Sequence, residues 1–289
     1  MDVLITGGSN TVGTAITDHL ADDDRYAITN LDPEPHPRPE ALVADLRGDA
    51  TDPDGVRAAI EGMDAVVHLA LVPGTGGAAN HELDWSEPLA ANLRAHNVTF
   101  AAAAEAGLDS LVFASSNHAV GLYEVEQAPD CYYPDHDLLV DHTAPHRPDS
   151  PYGLTKSYGE DLGALAASQH GLQFYGLRIG ATRDRPYDHP WGDPQRALES
   201  SDIERGSEEW DDAVARMHGM WFSRRDLARL VDACLQDDTV AWDVFHGVNG
   251  SAYSWFDVEH SREVLGFEAM DTPDDYDGPP ASVEEAAGD

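Results

Sequence analysis

The segment Tyr152-Gly153-Leu154-Thr155-Lys156 sets a phenol and an ammonium four residues apart. In a helix, residues i and i+4 share one face. Lys156 is the single lysine of the chain; the other 16 of its 17 basic residues are arginine. A chain that uses arginine everywhere else keeps lysine where a compact ammonium is needed and a planar guanidinium does not fit. The pairing points to a tyrosine base. A phenol titrates near pH ~10 and must be lowered to take a proton near neutrality, which a neighbouring ammonium can do.

Two further groups of residues could do chemistry. Phe113-Ala114-Ser115-Ser116-Asn117-His118 brings hydroxyl, amide and imidazole groups together directly after an apolar run. Alone, Ser and Asn at such a point usually make only a turn. Thr6-Gly7-Gly8-Ser9-Asn10-Thr11-Val12-Gly13 follows the apolar Val3-Leu4-Ile5 and opens an amphipathic stretch. A glycine turn between strand and helix is what a dinucleotide pyrophosphate requires, because backbone N–H groups at the helix start face the anion. Asp32 ends the next apolar run and suits a carboxylate that accepts from a ribose hydroxyl, which favours NAD over NADP. Arg38 lies close enough in sequence to oppose that preference.

The elements that must position these residues alternate between strand and helix signals. Strands are expected at Val3–Ile5, Tyr26–Leu31, Leu42–Ala44, Asp64–Leu69, Leu111–Ala114, Phe174–Ile179 and Trp242–Val248. Helices are expected at Val12–Leu20, near Val56–Ile60, at Leu89–Ala106, from Tyr152 to about Gln169, at Ser223–Leu235 and at Phe256–Leu265. Alternating βα units imply an α/β fold with a Rossmann-type, doubly wound parallel sheet. Ser116 and its neighbours then lie at the carboxyl edge, where such sheets bind ligands. Arg183–Val214, with its prolines, glycines and charges, reads as a long loop or lid with room for short helices. The expected organisation is an NAD-binding Rossmann domain over 1–180, a small C-terminal substrate-binding lobe over 181–270, and an acidic mobile tail over 271–289.

The chain carries 54 acidic against 17 basic residues, a formal net charge of −37, with 42% hydrophobic residues and six tryptophans. The apolar content argues for a packed globule rather than a disordered acidic chain. Such a surface fits a halophilic, cytoplasmic protein, whose carboxylates hold water while salt screens their repulsion. It disfavours nucleic acid and membranes as partners. Cys131 and Cys234 are too few for a disulfide framework, and no metal site is expected. Neither a signal peptide nor a long apolar run is visible.

In order and spacing the chain resembles the extended short-chain dehydrogenase/reductases. The glycine turn, Asp45-Leu46, His68-Leu69-Ala70, Asn92, the serine after the fifth strand and Tyr152-x-x-x-Lys156 all fall in family order over residues 1–270. Asn10 stands where the family has its middle glycine, and Asn tolerates left-handed backbone better than most residues. A narrower resemblance is to the sugar 1-dehydrogenase branch, which contains uronate dehydrogenases and archaeal NAD-dependent glucose-6-phosphate dehydrogenases. It rests on Ser115 to Gly121, Arg178-Ile179-Gly180 and Arg216-x-x-x-x-Trp221-Phe222-Ser223. Pro129-Asp130-x-Tyr132-x-Pro134-Asp135-His136 is similar to the glucose-6-phosphate enzymes in particular. Uronate enzymes carry serine at the positions of Pro73 and Ala181, which counts against a uronate here.

The resemblance implies oxidation of an aldose at C1 to its lactone, with NAD as cofactor and a sugar or sugar phosphate as partner. Ser116, Tyr152 and Lys156 are the implied catalytic residues. Gly7, Ser9, Asn10, Thr11, Val12, Asp32, Asp45, Leu46, Leu69, Ala70, Asn92, Ala114, Tyr152, Lys156 and Ile179 would hold the cofactor. Ser116, Asn117, His118 and Arg216 would hold the sugar, with Arg183, Arg185, Arg196 and Arg205 in reserve for an anion. An arginine in a plain ion pair is the alternative for Arg216. Glucose 6-phosphate is favoured over a uronate or neutral aldose. The rivals are a nucleotide-sugar epimerase or dehydratase and a non-catalytic dinucleotide-sensing regulator. A homo-oligomer is left open.

Overall fold

The computed structural model describes residues 1–72 and 87–279. Its strands are β1 (Asp2–Thr6), β2 (Ala27–Asp32), β3 (Ala44–Arg47), β4 (Ala65–His68), β5 (Ser110–Ser116), β6 (Gln173–Ile179) and β7 (Trp242–Gly247). They form one parallel sheet in the order β3-β2-β1-β4-β5-β6-β7. Side chains alternate between its faces, as period-2 geometry requires. Val3, Ile5, Ala65, Val67 and Val112 join one core; Leu4, Val66, Leu111 and Phe113 join the other.

Helices α1 (Thr11–Leu20) and α8 (Arg224–Gln236) pack together on the first face. Helices α2 (Pro53–Ile60), α3 (Glu87–Ala106) and α5 (Pro151–His170) cover the second. The helix starts follow from local chemistry. Asn10, Ser150, Ser207 and Ser223 each accept from a backbone N–H of the turn they cap. A one-turn α4 (Leu122–Val125), α6 (Gly192–Glu199), α7 (Glu208–Met220) and α9 (Glu259–Leu265) complete the chain. A third core of Val120, Val140, Ala181, Met217, Met220, Trp221, Val248, Trp255 and Phe256 lies apart from the other two and knits the C-terminal segments together.

The structure corrects four expectations. β3 lies at Ala44–Arg47, not Leu42–Ala44, because a 3-10 turn at Pro39–Ala41 delays the pairing and leaves Val43 exposed. Residues 183–214 are helical over about half their length, through α6 and the start of α7. Glu208, Glu209 and Asp211 occupy the first turn of α7, where carboxylates complement the positive helix end, so the charge that read as loop is a helix-start signal. Phe256 belongs to a parallel bridge with Val140 instead of α9. The start of the tail is held: Asp271 bonds to Ser223 and Arg225, and Tyr276 sits edge-on to Trp191 and Trp221. Residues 280–289 of that tail, and Pro73, lie outside the described residues.

Where β5, β6 and α5 meet, the core holds a buried ionic cluster. Arg178 donates to both oxygens of Glu160, at 3.1 and 2.8 Å. His146 Nε2 lies 2.7 Å from Glu160 Oε2, and the Ser115 hydroxyl donates to Oε1. Both members of the ion pair are shut off from water. Burial alone would raise the Glu160 carboxyl; His146, Arg178 and Ser115 outweigh it and hold it at about 2. A depressed carboxyl stabilises the fold fully above its ordinary value of 4.5, and that stability is lost as pH falls toward about 2. Glu160→Gln is therefore expected to flatten the acid limb of stability over that window. It should also cost about 3–5 kcal/mol near neutrality, because Arg178 stays buried without its partner. Urea midpoints in molar salt across pH measure both; an unchanged acid limb would remove Glu160 from the account.

Candidate active site

The strand order reverses between β1 and β4, which opens a crevice at their carboxyl ends. The glycine turn leaves β1 there. Gly7 has φ +73°, and a Cβ on it would sit 2.5 Å from the Cα of Ala70, which follows β4. A Cβ on Gly13 would lie 2.2 Å from the carbonyl of Gly8, so helix α1 can close onto the turn only with glycine at that position. Asn10 has φ −95° and ψ −179°, extended rather than left-handed. Asn replaces the expected glycine for a different reason: its Oδ1 caps α1 by accepting from Gly13 N, and its Nδ2 donates to Gly7 O.

The other cofactor candidates gather around this turn. Asp32 ends β2 with its carboxylate accepting from Ser9 N at 3.1 Å and Glu34 N at 2.8 Å. Arg38 is ion-paired with Asp18, which also takes Arg185 and Arg224, so its guanidinium is engaged there. Asp45 accepts from Asn30 Nδ2 and His36 N, and Asn30 Oδ1 accepts from Gly8 N. Asp45 thus braces the glycine turn through Asn30, a residue that sequence reasoning missed. Leu46 beside it is partly exposed. Asn92 clamps the exit of β4, accepting from Val72 N at 2.7 Å and donating to Val72 O and Pro88 O. Thr11 and Val12 open α1, Leu69 and Ala70 follow β4, and Ile179 pairs with Ser116 across β5 and β6. The glycine cradle, the N-terminus of α1 and the Asp32 carboxylate fit a dinucleotide.

The proposed catalytic residues come together on β5 and α5. Lys156 is buried, and its Nζ donates to the carbonyl of Ala114 at 2.7 Å, 5.3 Å from the centre of the Tyr152 ring. Burial pulls the ammonium down to about 7, against the opposing charge of Glu160 one turn on. The Tyr152 phenol is raised by burial; the Ser116 hydroxyl and the charge of Arg183 pull it back. Ser116 and Arg183 offset that rise only in part, so the phenol stays above its ordinary value, while Lys156 is turned to a backbone carbonyl. Ser116 donates to Asn117 Oδ1 at 3.3 Å and accepts from His118 N at 3.3 Å. Asn117 Nδ2 is buried with no partner among the described residues. His118 Nδ1 lies 2.8 Å from Asp149 Oδ2, and its ring stands edge-on to Tyr152 at 5.7 Å.

Arg216, the expected sugar contact, is bound to both oxygens of Glu124 on α4, which also accepts from Tyr132 Oη at 3.1 Å. Arg183 is the arginine whose charge reaches Tyr152, and it forks onto Asp193 at 2.5 and 2.6 Å. The fields of Arg183, Arg216 and Arg196 all converge on Asp193 and hold its carboxyl down against burial. Arg196 also lies over the Tyr187 ring, whereas Arg205 lies over Trp210 and Arg185 reaches Asp18. The sequence singled out Arg183 only as one of several; α6, which carries Asp193, was the missing element.

The chain is 30% identical to the NAD-dependent glucose-6-phosphate dehydrogenase of Haloferax volcanii over 278 residues, 95% of each protein. It is 29% identical to the L-arabinose 1-dehydrogenase (NAD(P)(+)) of the same organism, over 93% of this chain and 96% of that one. The solved structure of a mutated uronate dehydrogenase superposes with a TM-score of 0.69 at 26% identity, covering 94% of this chain and 82% of that one. Fold and site together define an oxidoreductase that acts on CH–OH groups with NAD. The NAD dependent epimerase/dehydratase family matches residues 3–182, and the chain belongs to it.

Tyr152→Phe is expected to cut turnover by two or more orders of magnitude with NAD affinity nearly intact, since it removes the base and spares the cradle. Stopped-flow turnover and NAD titration check this, and near-wild-type turnover would displace Tyr152 as base. Asp32→Ser is expected to lower catalytic efficiency with NAD and raise it with NADP by relieving repulsion of the 2′-phosphate. A wild type that prefers NADP would overturn the reading of Asp32.

Proposed function

We propose that this protein oxidises a cyclic aldose at C1 to its lactone, and that glucose 6-phosphate is the favoured substrate. The observation that carries the reading is the meeting of Ser116, Tyr152 and Lys156 at the carboxyl edge, with Arg183 acting on the same phenol. Tyr152, as phenolate, takes the proton of the anomeric hydroxyl. Ser116 hydrogen-bonds the same oxygen and holds it against the phenol. NAD, when bound, supplies the hydride acceptor, and its nicotinamide ribose would lie against Lys156. Asn117 and His118 are the expected partners of the sugar hydroxyls; the buried, unmatched Nδ2 of Asn117 supports the first.

The phosphate assignment rests on charge. In a chain of net charge −37, an anionic sugar needs a local cationic site. Arg183, Arg196 and Arg216 gather around Asp193, with Glu124 on Arg216 and Glu199 at the Tyr187 ring that Arg196 covers. Arg183 and Arg216 remain about a quarter exposed, so an entering phosphate can meet them. The relationship to a glucose-6-phosphate dehydrogenase supports the same reading. A neutral aldose is the second reading, because Arg183 and Arg216 each already carry a carboxylate and a similar relative is named for L-arabinose.

Net NADH formation from free aldoses, uronates and sugar phosphates in molar salt tests the proposal. An epimerase or a dinucleotide sensor would form none. Arg216→Met and Arg183→Met should each raise KM for a sugar phosphate sharply, since truncating one partner of a buried ionic contact costs roughly 2–5 kcal/mol. Neither should alter KM for a neutral sugar to that extent. Equal losses on both substrate types would assign the arginines to packing of α6 and α7. A wild type preferring neutral pentoses would overturn the phosphate assignment and leave the C1 chemistry standing.

A further inference from the structure

Behind the sheet edge, away from the carboxyl-edge crevice, three side chains from separate segments converge. His142 lies between the Val140 bridge and α5, Asp243 is the second residue of β7, and His260 the second of α9. One ligand atom from each lies within 4.8 Å of the other two. We propose that His142, Asp243 and His260 bind a divalent first-row transition ion of the zinc class.

Four observations carry this. First, Nδ1 of His142 is sealed from solvent and has no hydrogen-bond partner among the described residues, an unmet acceptor or donor of the kind a ligand satisfies. Second, the His142 and His260 rings lie face to face at 3.5 Å and 4°, an arrangement imidazoles do not favour by themselves. Third, the carboxylate is already aimed. Val244 N donates to Asp243 Oδ1 at 2.8 Å, leaving Oδ2 at 2.9 Å from His260 Nε2. Fourth, the backbone under the cluster is pinned: Val140 N donates to Trp255 O at 2.8 Å and Asp257 N to Val140 O at 3.1 Å, while Phe245 stacks under His260.

Two imidazoles and one carboxylate suit zinc, nickel or copper and not magnesium or calcium, which take oxygen shells. Ligand bonds of about 2.0–2.2 Å require the three groups to draw in slightly. A metal lies in the plane of the imidazole that binds it, so the ring stack must open into a wedge on binding. His260 and Asp243 retain 13% and 20% side-chain exposure, which leaves a path to solvent and room for a water as fourth ligand. The ion would tie β7 and α9 to the segment leading into the helix of Tyr152 and Lys156.

The test uses the full chain, stripped with chelator and returned to molar KCl with excess Mg2+ to occupy surface carboxylates. Co2+ is the probe. The expected result is one equivalent bound with visible d–d bands, displaced by Zn2+, and a rise in Tm on binding; at 100 times Kd the folded-to-unfolded ratio grows about 100-fold. His142→Ala and His260→Ala should weaken binding by more than the roughly 10–100-fold typical of losing an outer-shell partner. Asp243→Asn keeps the shape of the site and should weaken it as well, which guards against a merely misfolded alanine variant. His170→Ala, at the exposed end of α5, should bind as wild type. Absence of stoichiometric binding by the wild type would overturn the proposal. So would retention by Asp243→Asn and both alanine variants, or a thiolate-to-cobalt charge-transfer band marking Cys131 or Cys234 as the ligand.

Discussion

The hydrogen bond from Lys156 Nζ to the carbonyl of Ala114 joins the two elements that carry the proposed catalytic residues. It fixes α5 against the carboxyl end of β5 and so sets Tyr152 beside Ser116. An ammonium placed there is out of water, with the Phe113 ring on one side and the Tyr152 ring on the other. Burial takes it to about 7, and only the Glu160 charge a turn away opposes that. Glu160 in turn keeps its charge because Arg178, His146 and Ser115 surround it. The helix of Tyr152 and Lys156 is therefore held through a relay of buried charge, in which each member would be costly without the next.

Much of this frame was legible in the sequence because it follows from period and spacing. The strands around Val3–Ile5, Leu111–Ala114 and Phe174–Ile179 announce themselves by short buried runs. The i, i+4 spacing of Tyr152 and Lys156 puts them on one helix face before any tertiary contact is known. What depends on long-range packing was not legible. Asn10 occupies the expected place for a reason that only its capping bond reveals. The charged residues around Glu208 looked like solvated loop until Ser207 was seen to cap a helix. Arg183 reaches Tyr152 because α6 presents Asp193 to it, and nothing in local sequence encodes that meeting. Glu160 had no signal apart from following Lys156 by four residues.

The acidic surface shapes the interior indirectly. Asp18 receives the exposed Arg38 and Arg185, and Arg25 spans Asp23 and Asp232. Exposed pairs of this kind contribute little in molar salt. Their effect is to occupy most of the cations, so that the better buried ones, Arg178, Arg183, Arg216 and Arg224, stand out. The composition thus concentrates positive charge by subtraction: carboxylates elsewhere take the remaining guanidinium groups.

The burial of the one lysine has a reach beyond catalysis. Apart from the α-amino group of Met1, its ε-amine is the only primary amine in the molecule, and it is 3% exposed. The surface therefore offers no side chain for acetylation, for isopeptide tagging or for glycation by the open-chain aldehydes of reducing sugars. An NAD-dependent sugar dehydrogenase with this composition presents reducing sugars with no surface side-chain amine. Beyond the α-amino group of Met1, amine-directed reagents can report on one side chain alone, Lys156 beside Tyr152.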